Sequence, residues 1–265
     1  MIDYHTHTYL CCHAEGTVKE YVDVAVERGL NEIGFADHFP LSLMDVEPKA
    51  PVTMKAEEMK LYLQMVGEVA KRDDIVIKTG IELDYIPRET IKLRSMLEGL
   101  PLDYIIGSIH FMEDWDFSHP YFAHEYEERS IEDVYEKYYS MVIEACSSGL
   151  FDIIGHVDVI KKFGYRPGVK ALDNYYREVA LILADRGVCL EVNTSGLDAP
   201  VNEIYPAKGL IKYCIDNKVN FTLGSDAHAP DQVGRYFPET IEMLKGMGLK
   251  EIIRFNKRKG SQVML

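Results

Sequence analysis

Two histidines one residue apart, His5 and His7, follow the apolar lead-in Met1-Ile2-Asp3-Tyr4, and His13 stands shortly after them. On a strand, side chains alternate, so His5 and His7 project to one face. Two neutral imidazoles placed this way can hold one divalent cation. An HxH triplet also arises by chance in a histidine-rich stretch, so partners elsewhere decide the matter. The chain supplies His38, Glu82, His110, His156, Asp226 and His228. Taken singly, each has a plainer reading as a hydrogen-bonded loop residue or a helix cap. Together with His5, His7 and His13 they make nine nitrogen and oxygen donors. One catalytic zinc takes three protein ligands plus water, so nine donors suit two or three ions that share a carboxylate.

The elements that must position these residues follow a repeating pattern. Short apolar runs (Met1–Tyr4, Asn31–Ala36, Ile75–Leu83, Leu102–Ile109, Phe151–Gly155, Val188–Val192, Asn220–Leu223) read as strands, and helical spacing fills the intervals. Thr17 and Glu20 form a capping box before Val18-Tyr21-Val22-Ala25, and Gly187 closes the helix Leu172–Arg186. Phe39–Thr53 and Phe111–Tyr126 read as loops, the second aromatic and acidic. Ile252–Phe255 reads as a short apolar piece before a basic tail. Seven strand-helix alternations imply a parallel sheet with right-handed crossovers. Six of the seven strands end in His, Asp or Glu. A closed sheet gathers such ends at one mouth, whereas an open sheet spreads them along a line. The expected fold is therefore an α/β, distorted (β/α)7 barrel with the metal site at the carboxyl ends of its strands. Without linker or repeat, residues 1–265 are expected to form one domain.

Composition narrows the function. A formal charge of −14 argues against nucleic-acid or acidic-membrane binding, while bound cations would still admit an anionic substrate. Five cysteines without a CxxC pair fit a reducing compartment. The amino terminus lacks a basic start and apolar run, and nothing reaches the ~18 apolar residues of a membrane helix, so a cytoplasmic protein is expected.

His5-x-His7, Ala36-Asp37-His38, Gly80-Ile81-Glu82, Gly107-Ser108-Ile109-His110, Gly155-His156 and Ser225-Asp226-Ala227-His228 together resemble the polymerase-and-histidinol-phosphatase (PHP) family. The likeness runs over essentially the whole chain in the family's order. Ala36-Asp37-His38-Phe39-Pro40, Gly80 to Tyr85 and Asp114-Trp115-Asp116-Phe117 look most like its histidinol-phosphate phosphatase branch. The resemblance implies a distorted seven-stranded barrel and a trinuclear centre of zinc, iron or manganese. It implies that His5, His7, Glu82 and Asp226 hold one ion, that Glu82 bridges to a second with His110 and His156, and that His13, His38 and His228 hold the third.

Such a site is expected to hydrolyse a small phosphate monoester, with L-histidinol phosphate the leading substrate. Asp226 or His228 can serve as the catalytic proton donor to the leaving group. Lys161, Lys162 and Arg166, with the hydroxyl of Ser195, are the expected phosphate-binding residues, and Glu113, Asp114 or Asp116 can receive the cationic end of histidinol. The branch commonly has Arg where this chain has Lys161 and again where it has Asp198. Lysine keeps the charge but loses the bidentate fork, and Asp198 reverses the sign. Another PHP phosphoesterase acting on nucleotides or sugar phosphates, and a non-catalytic metal-binding module, are the competing readings.

Overall fold

A computed structural model describes residues 1–44 and 46–265; residue 45, within the expected Phe39–Thr53 loop, lies outside the described residues. β1 (Ile2–Thr6) is buried along its whole length, as a strand covered on both faces must be. It pairs in parallel with β2 (Glu32–Phe35), and β2 pairs with β3 (Val76–Thr79). The run read as one strand, Ile75–Leu83, is two. β3 stops at Thr79, and β4 (Glu82–Asp84) starts a second parallel sheet with β5 (Ile106–Ser108).

The break has a packing cause. The Tyr104 ring lies so close against Gly80 that a Cβ there would overlap it. The Gly80 carbonyl accepts from the Tyr62 hydroxyl at 2.7 Å. β6 (Phe111–Met112) and β7 (Trp115–Asp116) form a small antiparallel ribbon. The second sheet continues through β8 (Ile153–Ile154), β9 (Cys189–Asn193) and β10 (Phe221–Gly224).

The two sheets meet at two seams through single bridges, Thr6 with Ala227 and His38 with Glu82. At the first, His7 N–H donates to the Ala227 carbonyl at 2.9 Å and Ala227 N–H to that of His5 at 3.2 Å. At the second, Phe39 N–H donates to the Glu82 carbonyl at 2.8 Å. Parallel strands thus run round in chain order and return to β1, a distorted barrel in which isolated contacts replace the ladder at each seam.

Helices separate the strands. α1 (Val18–Glu27) opens with the capping box of Thr17 and Glu20, and α2 (Met59–Val69) packs beside it. α3 (Thr90–Leu97), α4 (Ile131–Ser147), α5 (Val169–Arg186), α6 (Lys208–Asp216) and α7 (Phe237–Gly246) complete the set. Gly187 ends α5 in the left-handed region, φ 66°, as its place in the sequence required.

Two expectations need correction. The basic tail is half of an antiparallel hairpin, β11 (Glu251–Asn256) with β12 (Lys259–Met264), turned at Lys257-Arg258, both at positive φ. Phe255 of this hairpin packs on Tyr4 and Tyr104 at the end of the barrel opposite the site. The Phe111–Tyr126 segment, read as a loop, holds the β6–β7 ribbon and a 3-10 helix from Pro120, with Phe111, Trp115, Asp116, Phe117, Phe122 and Tyr126 buried. Aromatic side chains of this size bury too much apolar area to remain in water.

Candidate metal centre

Glu82, at the start of β4, is 1 % exposed and lies at the centre of the histidine cluster. Its Oε2 is 2.9 Å from His38 Nδ1, 3.3 Å from His5 Nε2 and 3.6 Å from His7 Nε2. Its Oε1 is 2.9 Å from His156 Nε2 and 3.7 Å from His110 Nε2, and accepts from Ser108 Oγ at 2.6 Å. The carboxylate therefore has one oxygen on each of two histidine groups. Asp226, with backbone φ of 52°, brings Oδ1 to 3.2 Å from His7 Nε2 and 3.8 Å from His5 Nε2. On the far side, the rings of His13 and His228 stack at 4.5 Å, and His38 lies 5.4 Å from His13. All nine residues expected to be ligands thus come together at one mouth of the barrel.

These residues fit divalent cations. Donor atoms of His5, His7 and Glu82, of His5, His156 and Asp226, and of His7, His38 and His228 lie within 4.8 Å of one another in each group. Cys11, outside the expected ligand set, falls in a similar group with His13 and His228. Buried polar atoms ordinarily find partners. Here His5 Nε2, both ring nitrogens of His7, Glu82 Oε2 and His228 Nε2 are buried without a hydrogen bond among the described residues. Orphaned atoms converging from different strands are what a metal site presents without its metal.

Charge in the cluster is divided. Burial opposes protonation of His7 and His110, yet Asp226 and Asp37 beside the first, and Asp84 beside the second, raise each to about 9. Burial likewise opposes charge on His5, and Glu191, Glu82 and Asp226 hold its pKa well above the ordinary histidine value. Glu82 and Asp226 resist the upward pull of burial and stay well below the usual carboxylate range, because imidazoles surround them. Burial and neighbouring imidazoles lower His13 to about 4 and push His228 well down. Those two rings are neutral, the form a metal takes.

The residues expected to bind phosphate are split by the turn that carries them. Lys162 lines a cleft of about 450 Å³ above the histidines, as do Ser195, Asp116, Asp198 and Arg235. Among the described residues, Lys162 Nζ has one protein acceptor, the Ser118 carbonyl at 2.9 Å. Lys161 does not line the cleft. Its ammonium is buried on Asp158 at 3.0 Å and the Ile204 carbonyl at 2.8 Å. Arg166 is also turned away, against Glu203 at 2.9 Å. Adjacent residues in the turn Val159–Lys161 and just after it point different ways, which composition alone cannot reveal. Ser195 Oγ lies 3.1 Å from Asp226 Oδ2 and 2.7 Å from Asn193 Oδ1. Arg235 Nη1 donates to Asp198 Oδ2 at 2.7 Å.

Sequence reasoning missed the carboxylates behind the ligands. Asp84 accepts from His110 Nδ1 at 3.0 Å, and Glu191 pairs with His5 Nδ1 at 2.6 Å. A signal existed for Glu191: an acidic residue alternating inside the otherwise apolar strand Val188–Val192 requires a buried partner.

A parallel barrel with histidines and carboxylates converging at the carboxyl ends of its strands defines a class of metal-binding hydrolase folds. The chain belongs to the PHP domain family, whose model matches residues 3–195. It is 37% identical, over 98% of both chains, to a Deinococcus radiodurans protein named probable histidinol-phosphatase. It is 29% identical to the histidinol-phosphatase of Bacillus subtilis, over 91% of this chain and 98% of that one. The fold matches a crystal structure of Lactococcus lactis histidinol phosphate phosphatase complexed with zinc, L-histidinol and phosphate. That match has a TM-score of 0.81 at 21% identity and covers 98% of each chain. No helix among the described residues is long and apolar enough to cross a membrane.

Proposed function

We propose that this chain, acting as one unit over residues 1–265, hydrolyses a small phosphate monoester, L-histidinol phosphate, to L-histidinol and phosphate. The observation that carries the reading is the convergence of nine ligand-type side chains beneath a cleft that Lys162 also lines. The full-length similarity to a protein named for this activity supports the choice of ester. Two or three divalent ions, zinc, iron or manganese, would be held by His5, His7, Glu82 and Asp226, by Glu82, His110 and His156, and by His13, His38 and His228. When bound, such ions supply Lewis acidity and water activated near neutral pH.

The remaining work falls to the protein. Among the described residues Lys162 has donors left over after its bond to Ser118, and at the half-buried wall of the cleft these suit a phosphate oxygen. The Ser195 hydroxyl stands at the same wall, and its one proton, which faces Asn193 Oδ1 and Asp226 Oδ2, would have to leave these acceptors to reach phosphate. Asp226 is held ionised and His228 neutral, so charge favours the ligand role for both over that of proton donor. Asp116 lines the cleft and suits the cationic end of histidinol, whereas Glu113 is engaged by Lys137 at 2.5 Å. Five free cysteines agree with a cytoplasmic enzyme.

Asp198 favours a second reading. It stands in the cleft, paired with Arg235, where the resembling branch carries a cation, so another phosphate ester remains a competitor. Phosphate release from metal-loaded protein, with L-histidinol phosphate, nucleotides and sugar phosphates side by side, tests both. Preference for L-histidinol phosphate supports the first. No turnover of it, with another ester hydrolysed well, overturns it. No release from any ester favours a metal-binding module.

A further inference from the structure

No candidate metal ligand follows β9 directly, yet its inward side chains reach ligands on both flanks. Glu191, fully enclosed, sets Oε1 2.6 Å from His5 Nδ1 and accepts the His156 backbone N–H on Oε2 at 2.7 Å. Asn193, two residues on and so on the same face, donates its amide to Glu191 Oε2 at 3.1 Å. The Asn193 side-chain oxygen, Oδ1, accepts the Ser195 backbone N–H at 2.9 Å. The Ser195 hydroxyl lies 2.7 Å from that oxygen and 3.1 Å from Asp226 Oδ2. A hydrogen-bonded path therefore runs along β9 from His5 on one neighbouring element to Asp226 on another.

The fold makes room for this path at a specific place. A Cβ on Gly224 of β10 would overlap Glu191 Oε1 and come within 2.7 Å of the His5 Cβ, and one on Gly155 would stand 3.4 Å from Glu191 Oε2. Glycine at position 224 therefore makes the room for the carboxylate, whereas the distance at Gly155 is ordinary contact.

We propose that Glu191, braced by Asn193, is a positioning residue for the metal centre: it fixes the proton of His5 on Nδ1 and turns the bare Nε2 toward the ion. An imidazole has one donor and one acceptor nitrogen when neutral, and a carboxylate at Nδ1 allows only the donor there. Acceptors of this kind orient a ligating imidazole and raise its basicity. Glutamine in the same slot cannot do both tasks. With its oxygen toward the His156 N–H, its NH2 faces His5 Nδ1 and drives the proton onto Nε2. With its oxygen toward His5, its NH2 faces the His156 and Asn193 donors. The inference rests on the metal reading of the site and is independent of which ester is cleaved.

Zinc affinity of the purified full-length chain, by competition with a chromophoric chelator, tests it. The expected result is that Glu191→Gln weakens the tightest zinc by about 10- to 100-fold and Asn193→Ala by a smaller factor of about 3 or more. In the cobalt-loaded protein the visible bands shift in Glu191→Gln, a change that a merely structural role would not cause. Placed on His5→Ala, Glu191→Gln has no further effect on affinity if it acts through that ring. Wild-type affinity and cobalt spectrum in a folded Glu191→Gln protein overturn the proposal. If that variant does not fold, Asn193→Ala decides, and affinity equal to wild type overturns it. A wild-type chain that binds no zinc or cobalt removes the metal reading itself.

Discussion

Lys161 and Asp158 form an ion pair at 3.0 Å in which neither side chain is more than 3% exposed. The pair anchors the turn that follows His156 and leaves Lys161 unable to reach the cleft. Breaking a buried pair by removing one partner costs about 3–5 kcal/mol. Lys161→Ala should lower the thermal midpoint accordingly. Burial already raises Asp158 to about 6 against the pull of Lys161, and losing the lysine raises it further. A folded carboxyl that holds its proton more tightly than the unfolded one loses stability as pH rises from the unfolded value of 3.8. The deficit of Lys161→Ala should therefore be smallest below about pH 6, where Asp158 keeps its proton in both folded proteins, and grow as pH rises from there toward the higher value in the variant, which melting curves across pH will show.

Lys162 is the opposite case. Its side chain lines the cleft and has one protein acceptor among the described residues, so Lys162→Ala should raise KM for the phosphate ester by about tenfold or more, the loss of one charge-assisted hydrogen bond. Arg166 faces Glu203 outside the cleft, and Arg166→Ala should leave KM within about twofold of wild type. Initial rates on the two variants check the contrast. Equal effects on KM would mean that the turn delivers both cations to the substrate.

Metal uptake should be coupled to protons. Without metal, His7 and His110 titrate at about 9 and His5 well above the ordinary value, so all three carry protons at pH 7 that ligation must remove. Zinc affinity should rise with pH up to about 9. Calorimetry in buffers of different ionisation enthalpy should report net proton release at pH 7. His13, lowered to about 4, contributes nothing to that release.

The same shifts fix the sign for stability of the metal-free chain. A histidine whose folded pKa is raised stabilises fully below 6.5 and stops doing so as pH passes its folded value. The metal-free midpoint should fall between pH 6.5 and about 9 through His7 and His110, while the metal-loaded midpoint stays flatter.

Asp198 holds Arg235 at 2.7 Å, and Tyr236 also donates to Asp198, at 2.5 Å. Asp198→Asn removes the anion and leaves the Arg235 guanidinium, still tied to the Ser225 and Asp226 carbonyls at 3.2 Å each, free to attract phosphate. Inhibition by inorganic phosphate should tighten by a few-fold, the scale of a half-exposed ion pair. Unchanged or weaker inhibition would mean that the aspartate does not oppose anions in the cleft.

The candidate ligands could be picked out from the sequence because their placement depends on local rules. Alternation along β1 places His5 and His7 on one face whatever surrounds them, and apolar runs leading to His38, His110, His156 and Asp226 announce strand ends by periodicity. The Thr17–Glu20 box and the Gly187 stop are equally local, since each satisfies backbone groups within one turn.

Packing decided the rest. The break after Thr79 comes from Tyr104 and Tyr62, distant in sequence, pressing on Gly80. The hairpin turned at Lys257-Arg258 is held by Asp103 and Asp152, far up the chain, so its residues read as a tail when taken alone. Lys161 and Lys162 have the same chemistry and adjacent numbers, and only the path of their turn sends one ammonium to a buried carboxylate and the other to the cleft. Glu191 looks like a misplaced charge in β9 until β1 is brought beside β10, when its carboxylate meets the proton of His5. The sequence determined which side chains could bind metal, because residue type and strand alternation are local. Tertiary structure alone decided which charges face the substrate and which hold the ligands in place, because those roles depend on what the folded chain brings within about 3 Å.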